Sequence, residues 1–254
     1  MEFIQNSSPM VQAFTAGLFT WFLTAVGASA VLLRMEFSRR AVDGMLGLAA
    51  GIMLAASFFS LLLPAIEMTD SIIPVVLGFL GGGIFLRILD EIIPHVHPIT
   101  GKEEGIGSAY RKITLFALAV TIHNIPEGMA VGVAFGTDFS SGLSLAFGIG
   151  LQNIPEGLAI AMPLISLGYT RFRSFIYGSL SAVVEPVFAL AGAFAVVHFH
   201  AILPYALSFA AGAMIFVVIE DLIPEAESNG NEDVATMMAL FGFAVMMALD
   251  VVLG

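Results

Sequence analysis

His123-Asn124-Ile125-Pro126-Glu127-Gly128 lies inside the apolar run 113 to 136, and its near-copy Gln152-Asn153-Ile154-Pro155-Glu156-Gly157 lies inside the run 142 to 166. Each motif puts a carboxylate, an amide and a helix-breaking proline where a lipid bilayer would have its centre. An acidic side chain there costs roughly 3 kcal/mol on insertion scales, so an ionisable group at that depth marks a functional site by default.

The surrounding composition makes the bilayer the only sensible solvent. Of 254 residues, 58% are hydrophobic and 11% charged, whereas a soluble domain carries about 25% charged residues; the mean hydropathy is +0.97. Eight runs of sufficient length for a helix to cross the hydrocarbon core fall at about 11 to 33, 42 to 64, 72 to 93, 113 to 136, 142 to 166, 174 to 197, 202 to 224 and 235 to 253. They are apolar all round, without the polar stripe of a soluble bundle helix. The expected fold is all-α, a single polytopic membrane domain of eight transmembrane helices. Met1 to Met10 has no basic region, so the first run is not read as a cleaved signal peptide.

Arg34, Arg39, Arg40, Lys102, Arg111, Lys112, Arg171 and Arg173 all fall in the connections after the first, third and fifth runs. By the positive-inside rule these face the cytoplasm and both termini face outward, giving a multi-pass protein of the cell (inner) membrane. Arg87, near the inner end of the third run, can pair with Asp90 or Glu91. The connection after the seventh run dissents: it should also be inside, yet it holds Glu225, Glu227, Glu232 and Asp233 without a basic residue. A net charge of -11 argues against nucleic acid as a partner. With no cysteine, neither disulfides nor thiolate metal sites can form.

The two motifs are one sign of internal repetition. Ala49-Ala50-Gly51 in the second run also echoes Ala210-Ala211-Gly212 in the seventh, and these runs close at Pro64 and Pro224 with the offset slipping by one residue. In an eight-span chain, the second and seventh runs cross in opposite directions, as do the fourth and fifth. This pattern is expected of an inverted-topology repeat, which places the substrate near the midplane on helices broken there, here the proline-broken fourth and fifth.

Helical spacing brings His123, Asn124 and Glu127 toward one face, and Gln152, Asn153 and Glu156 likewise. If the two helices pack, two carboxylates, an imidazole and amide oxygens converge. That donor set suits a divalent first-row metal, zinc included, and without thiolate it disfavours copper(I) and a tight structural zinc site. Two carboxylates neutralise one divalent cation; without it they repel. Pro126 and Pro155 deprive the carbonyls of Ile122 and Leu151 of their helical donors. Glu185, followed by Pro186 in the sixth run, adds a third carboxylate and suggests a second metal position with Asn124, Asn153, Glu127 and Glu156. Met53 and Ser60, seven apart in the second run, are expected to share a helix face, with Met53 near the metal. Pro94-His95-Val96-His97-Pro98 reads either as a solvated loop or as a transient metal-docking point.

In the fourth and fifth of eight spans, the paired motifs resemble the ZIP (Zrt/Irt-like protein) family of divalent metal transporters, in its bacterial branch, and the resemblance covers essentially the whole chain. It implies transport of zinc, with cadmium, iron, manganese or cobalt as further cargo, toward the cytoplasm, with the metal ion and the bilayer as partners and a homodimer compatible. It implies no enzyme activity and no catalytic cofactor. By resemblance, His123, Glu127, Gln152 and Glu156 form the primary site and Asn124, Asn153 and Glu185 complete a second that shares both Glu residues. Asp90, His95, His97 and a carboxylate of Glu220 or Asp221 are implied at the inner exit, and Glu67 and Asp250 near the outer mouth. Gln152 departs from the pattern, since many members have His there, and one fewer imidazole should weaken binding. The residues alone leave three rivals: a proton-coupled carrier of another cation, a channel-like conductor using the same site, and a membrane metal-dependent hydrolase, against which stands the absence of His-Glu-x-x-His.

Overall fold

The computed structural model describes residues 2–33, 37–92, 95–96, 103–104, 112–166 and 168–253. A short helix, Glu2–Gln5, precedes eight long ones: α1 (Pro9–Leu33), α2 (Arg39–Glu67), α3 (Ile72–Ile92), α4 (Lys112–Thr137), α5 (Phe139–Ser166), α6 (Arg171–His198), α7 (Leu203–Glu227) and α8 (Glu232–Leu253). Among the described residues, seven of these are both long and apolar enough to span a membrane. The remaining one, α4, has 26 residues, which at about 1.5 Å per residue exceeds the thickness of the hydrocarbon core, and it carries the polar motif in its middle. Apart from helices, the described residues include one antiparallel two-residue pair, β1 (His95–Val96) with β2 (Glu103–Glu104), inside the connection between α3 and α4.

The interior is built from α2, α4, α5 and α7, whereas α3 and α8 face outward: 72% of the apolar window of α5 is buried against 11% for α8. Outward-facing Leu77, Leu80 and Ile84 on α3 and Met237, Leu240 and Phe241 on α8 are exposed. A lipid surface accepts such residues without penalty, because lipid tails are as apolar as the side chains.

The inverted repeat is visible in which helices pack. α1 lies on α5 as α6 lies on α4, and α2 lies on α8 as α7 lies on α3. Exchanging α1 with α6, α2 with α7, α3 with α8 and α4 with α5 maps this set of pairs onto itself. The Ala-Ala-Gly echo sits at the equivalent places. A Cβ at Gly51 would run into the Ala239 carbonyl of α8, and one at Gly212 into the Phe79 carbonyl of α3. These helices touch backbone to backbone, which only glycine permits.

Both repeat partners also widen into a π-helix, Ala56–Leu62 in α2 and Val218–Leu222 in α7. Pro64 and Pro224 leave the carbonyls of Ser60 and Glu220 without their ordinary helical donor, and the wider turn lies immediately upstream of each proline. The two π segments hold 7 and 5 residues. The helix thus changes pitch between Met53 and Ser60, both of which are buried. Met53 is fully buried, while the Ser60 hydroxyl donates to Asp250 Oδ1 at 2.6 Å.

Hydrogen bonds tie the connections into two ends. Arg171 Nη1 donates to the Val31 carbonyl at 2.8 Å, so the first and fifth connections share an end. The acidic connection between α7 and α8 joins them. Fully buried Asp43 of α2 pairs with Arg39 at 3.0 Å and accepts from Asn231 Nδ2 at 2.8 Å. The Asn229 amide, turned so that its oxygen faces the guanidinium, accepts from Arg39 at 2.7 Å. The connection that lacks a basic residue of its own therefore takes its cation from the start of α2. At the other end, the Ser140 hydroxyl donates to the Leu253 carbonyl near the C-terminus.

If backbone contact at the repeat glycines holds the bundle, Gly212→Leu should destabilise the protein by roughly 3 kcal/mol or more through overpacking. Gly81→Ala on α3, whose Cβ would meet nothing closer than Phe209 at 3.7 Å, should leave thermal unfolding in detergent unchanged.

Candidate metal centre

Three helices interrupted by proline supply the polar groups. α4 and α5 run through Pro126 and Pro155 as single elements, so the expected breaks in the fourth and fifth helices are gaps in hydrogen bonding and not ends of helices. Span six is the one divided into two helices, Arg171–Leu180 and Glu185–His198, joined by a turn at 181–184. Pro186 cannot donate to the Ala182 carbonyl, which instead accepts from the Glu185 amide at 3.0 Å. Glu185 thus opens a helix inside the bilayer. Its carboxylate sits at the end of the helix dipole that favours negative charge.

The carboxylates are held by amides from α5. Gln152 Nε2 donates to Glu127 Oε1 at 2.9 Å, and Asn153 Nδ2 donates to Glu185 Oε1 at 2.9 Å and to the Thr20 carbonyl at 3.2 Å. Asn124 Nδ2 donates to the Ser181 carbonyl at 3.2 Å. All five side chains are buried. Gly128 lies against the Glu185 backbone and Gly157 against the Thr24 carbonyl, so each motif glycine lets its helix close on α6 or α1.

After these bonds, Glu127 Oε2, Gln152 Oε1, Asn153 Oδ1 and Glu185 Oε2 are buried without a hydrogen-bond partner among the described residues. All four atoms are acceptors. Leaving one such atom unsatisfied costs about 1–3 kcal/mol, and four on three adjacent helices form an oxygen-rich set suited to a cation.

His123 and Glu156 face a different space. They line a cavity of about 40 Å³ together with Asn124, Asp221 and Glu225, and His123 Nε2 lies 3.0 Å from Asp221 Oδ2. The two motif carboxylates are therefore not equivalent: Glu127 is buried under Gln152, while Glu156 borders the cavity. Among the described residues, no three His, Asp or Glu side chains stand close enough together to hold an ion as they are. Glu127 is turned to an amide and His123 to Asp221.

Of the implied exit groups, Asp221 is buried and meets His123, but Glu220 is exposed on the outside of α7. Asp90 is buried near the C-terminal end of α3, with Arg87 Nη1 3.6 Å away and bridging to Glu91 at 2.9 Å. His95 is placed by its backbone in β1, and His97 lies outside the described residues. At the opposite end Glu67 is exposed and Asp250 is half-buried against Ser60. Glu225, read from sequence only as part of an acidic loop, lines the cavity; its spacing of four from Asp221 was the available signal. The sequence reading also missed Asp43, four residues after Arg39.

A family model described as ZIP Zinc transporter matches residues 99–250. The chain is 38% identical to Zinc transporter ZIP11 of Homo sapiens, over 99% of this chain and 100% of that protein. It is 39% identical to Zinc transporter GufA of Myxococcus xanthus, over 96% and 100%, and 41% identical to Zinc transporter ZIPB of Bordetella bronchiseptica, over 98% and 84%.

Asn153 Nδ2 holds Glu185 Oε1, so Asn153→Ala should lower divalent-cation affinity by about 10- to 100-fold, the usual cost of losing a group that orients a ligand. Calorimetric titration of the purified protein with zinc and cadmium measures it.

Proposed function

The chain belongs to the ZIP zinc transporter family and transports divalent metal across the membrane, and from that premise we propose that zinc is its main cargo and that it moves to the end where the basic connections gather. The observation that carries the site assignment is the set of four unpartnered buried oxygens on α4, α5 and α6, which a divalent ion would satisfy at once. Two metal positions follow. His123, Glu127, Gln152 and Glu156 would hold the first, and Asn124, Asn153 and Glu185 would complete a second that shares both glutamates; whether Met53, buried in α2, approaches either depends on the same assignment.

The polar contacts suggest how binding and release alternate. An ion entering from the end of Glu67 and Asp250 would exchange its water for carboxylate and amide oxygens. His123 can turn to it only by giving up Asp221, so binding and the His123–Asp221 pair compete. When the pair re-forms, Asp221 and Glu225 border the cavity on the way to the opposite end, where Asp90 and His95, and His97 outside the described residues, would receive the ion. Amide ligands and the lack of thiolate keep affinity reversible, as transport demands. Cadmium, iron, manganese and cobalt satisfy the same donor set and are expected to compete.

By the positive-inside rule the release end is cytoplasmic and both termini face outward across the inner membrane. The bilayer surrounds the outward faces of α3 and α8, and a homodimer would form through the same apolar surface.

Zinc uptake into proteoliposomes tests the site. The double substitution Glu127→Ala with Glu156→Ala should reduce uptake to the level of empty vesicles; uptake equal to wild type would refute the assignment. Because the chain has no cysteine, Ser8→Cys and Ser228→Cys test orientation without further changes. An impermeant thiol reagent added to intact cells should label the first and not the second.

A further inference from the structure

Trp21 is the one tryptophan of the chain, and it lies near the middle of α1, not at a membrane interface where tryptophan usually sits. An indole N–H at that depth needs an acceptor. Its partner is 158 residues away: Nε1 donates to the Ser179 carbonyl at 2.7 Å.

Ser179 is at the break of span six, where the helix ends and its last carbonyls lose their donors. Most carbonyls there keep or regain a donor within span six. The Tyr177 carbonyl accepts from the Ser181 amide, that of Gly178 from the Ser181 hydroxyl, that of Leu180 from the Val183 amide and that of Ala182 from the Glu185 amide. Among the described residues, two of these carbonyls are met from outside span six. Asn124 of α4 donates to the Ser181 carbonyl, and Trp21 of α1 donates to that of Ser179. One turn before Trp21, Gly17 lies against the backbone of Pro186, so α1 grips span six on both sides of the turn that sets Glu185.

We propose that Trp21 is a positioning residue for the metal centre: through Ser179 it fixes the turn at 181–184, and with it the carboxylate of Glu185 and the Ser181 carbonyl that orients Asn124. This rests on the assignment of Glu185 and Asn124 to the second metal position. The hydrogen bond of Trp21 goes to the backbone of span six and not to a proposed ligand, so its effect is carried by that backbone.

Replacing the indole with its benzothiophene isostere keeps the ring's size and removes only the N–H. In proteoliposomes loaded with purified transporter, the isostere should raise the KM for cadmium about three- to tenfold, the worth of one buried hydrogen bond, with a smaller change in maximal rate. The native protein supplies an independent readout that needs no substitution at Trp21. As the lone tryptophan, its emission should shift saturably on titration with cadmium, with a midpoint raised by Glu185→Gln. An isostere with wild-type KM, a fall in maximal rate at unchanged KM, or wild-type emission unmoved by saturating cadmium would each overturn the proposal. Wild-type uptake, and its loss in the Glu127 and Glu156 double substitution, judges the transport assignment separately.

Discussion

A polar atom placed in hydrocarbon must find a partner within the protein, and the centre of this transporter is arranged around that requirement. Glu127 meets Gln152, Glu185 meets Asn153, and Asn124 meets the Ser181 carbonyl. Each bond crosses between helices, so the same contacts that satisfy the groups fix how α4, α5 and α6 lie. What they leave over is not random. The four remaining side-chain oxygens named at the site are all acceptors, and a set with no competing donor discriminates for positive charge.

The inverted repeat brings these groups together and then departs from symmetry where chemistry needs a direction. The backbone pairings exchange cleanly between halves, down to Gly51 on α8 and Gly212 on α3. The side chains on the two π segments do not. In α2 the segment carries Ser60, bonded to Asp250; in α7 it carries Asp221, facing His123. A hydroxyl lies toward one end and a carboxylate toward the other. Along with His123 opposite Gln152, this gives the two related halves different polar groups on either side of the midplane.

The charge of the loops follows the same economy of contacts. The acidic connection between α7 and α8 looked anomalous beside its basic counterparts, but Arg39 reaches it through Asp43 and Asn229. Orientation signals are counted by loop in a sequence, whereas charges are compensated by neighbours in space.

Read alone, the sequence determined the all-α polytopic membrane class and which polar groups lie within its apolar runs, while of its eight expected crossings seven are helices long and apolar enough to span among the described residues. These follow from local properties: length of apolar run and helical spacing. Only the tertiary structure decided that span six, and not span four or five, divides at its proline; that Glu127 and Glu156 occupy unlike surroundings; and that Asp221 and Glu225 border the cavity near His123. It also set Trp21 on the Ser179 carbonyl. Each depends on which donor arrives from a distant helix to replace a lost backbone bond. Nothing in the neighbouring residues specifies that donor, and the hydrocarbon around it offers no water to stand in.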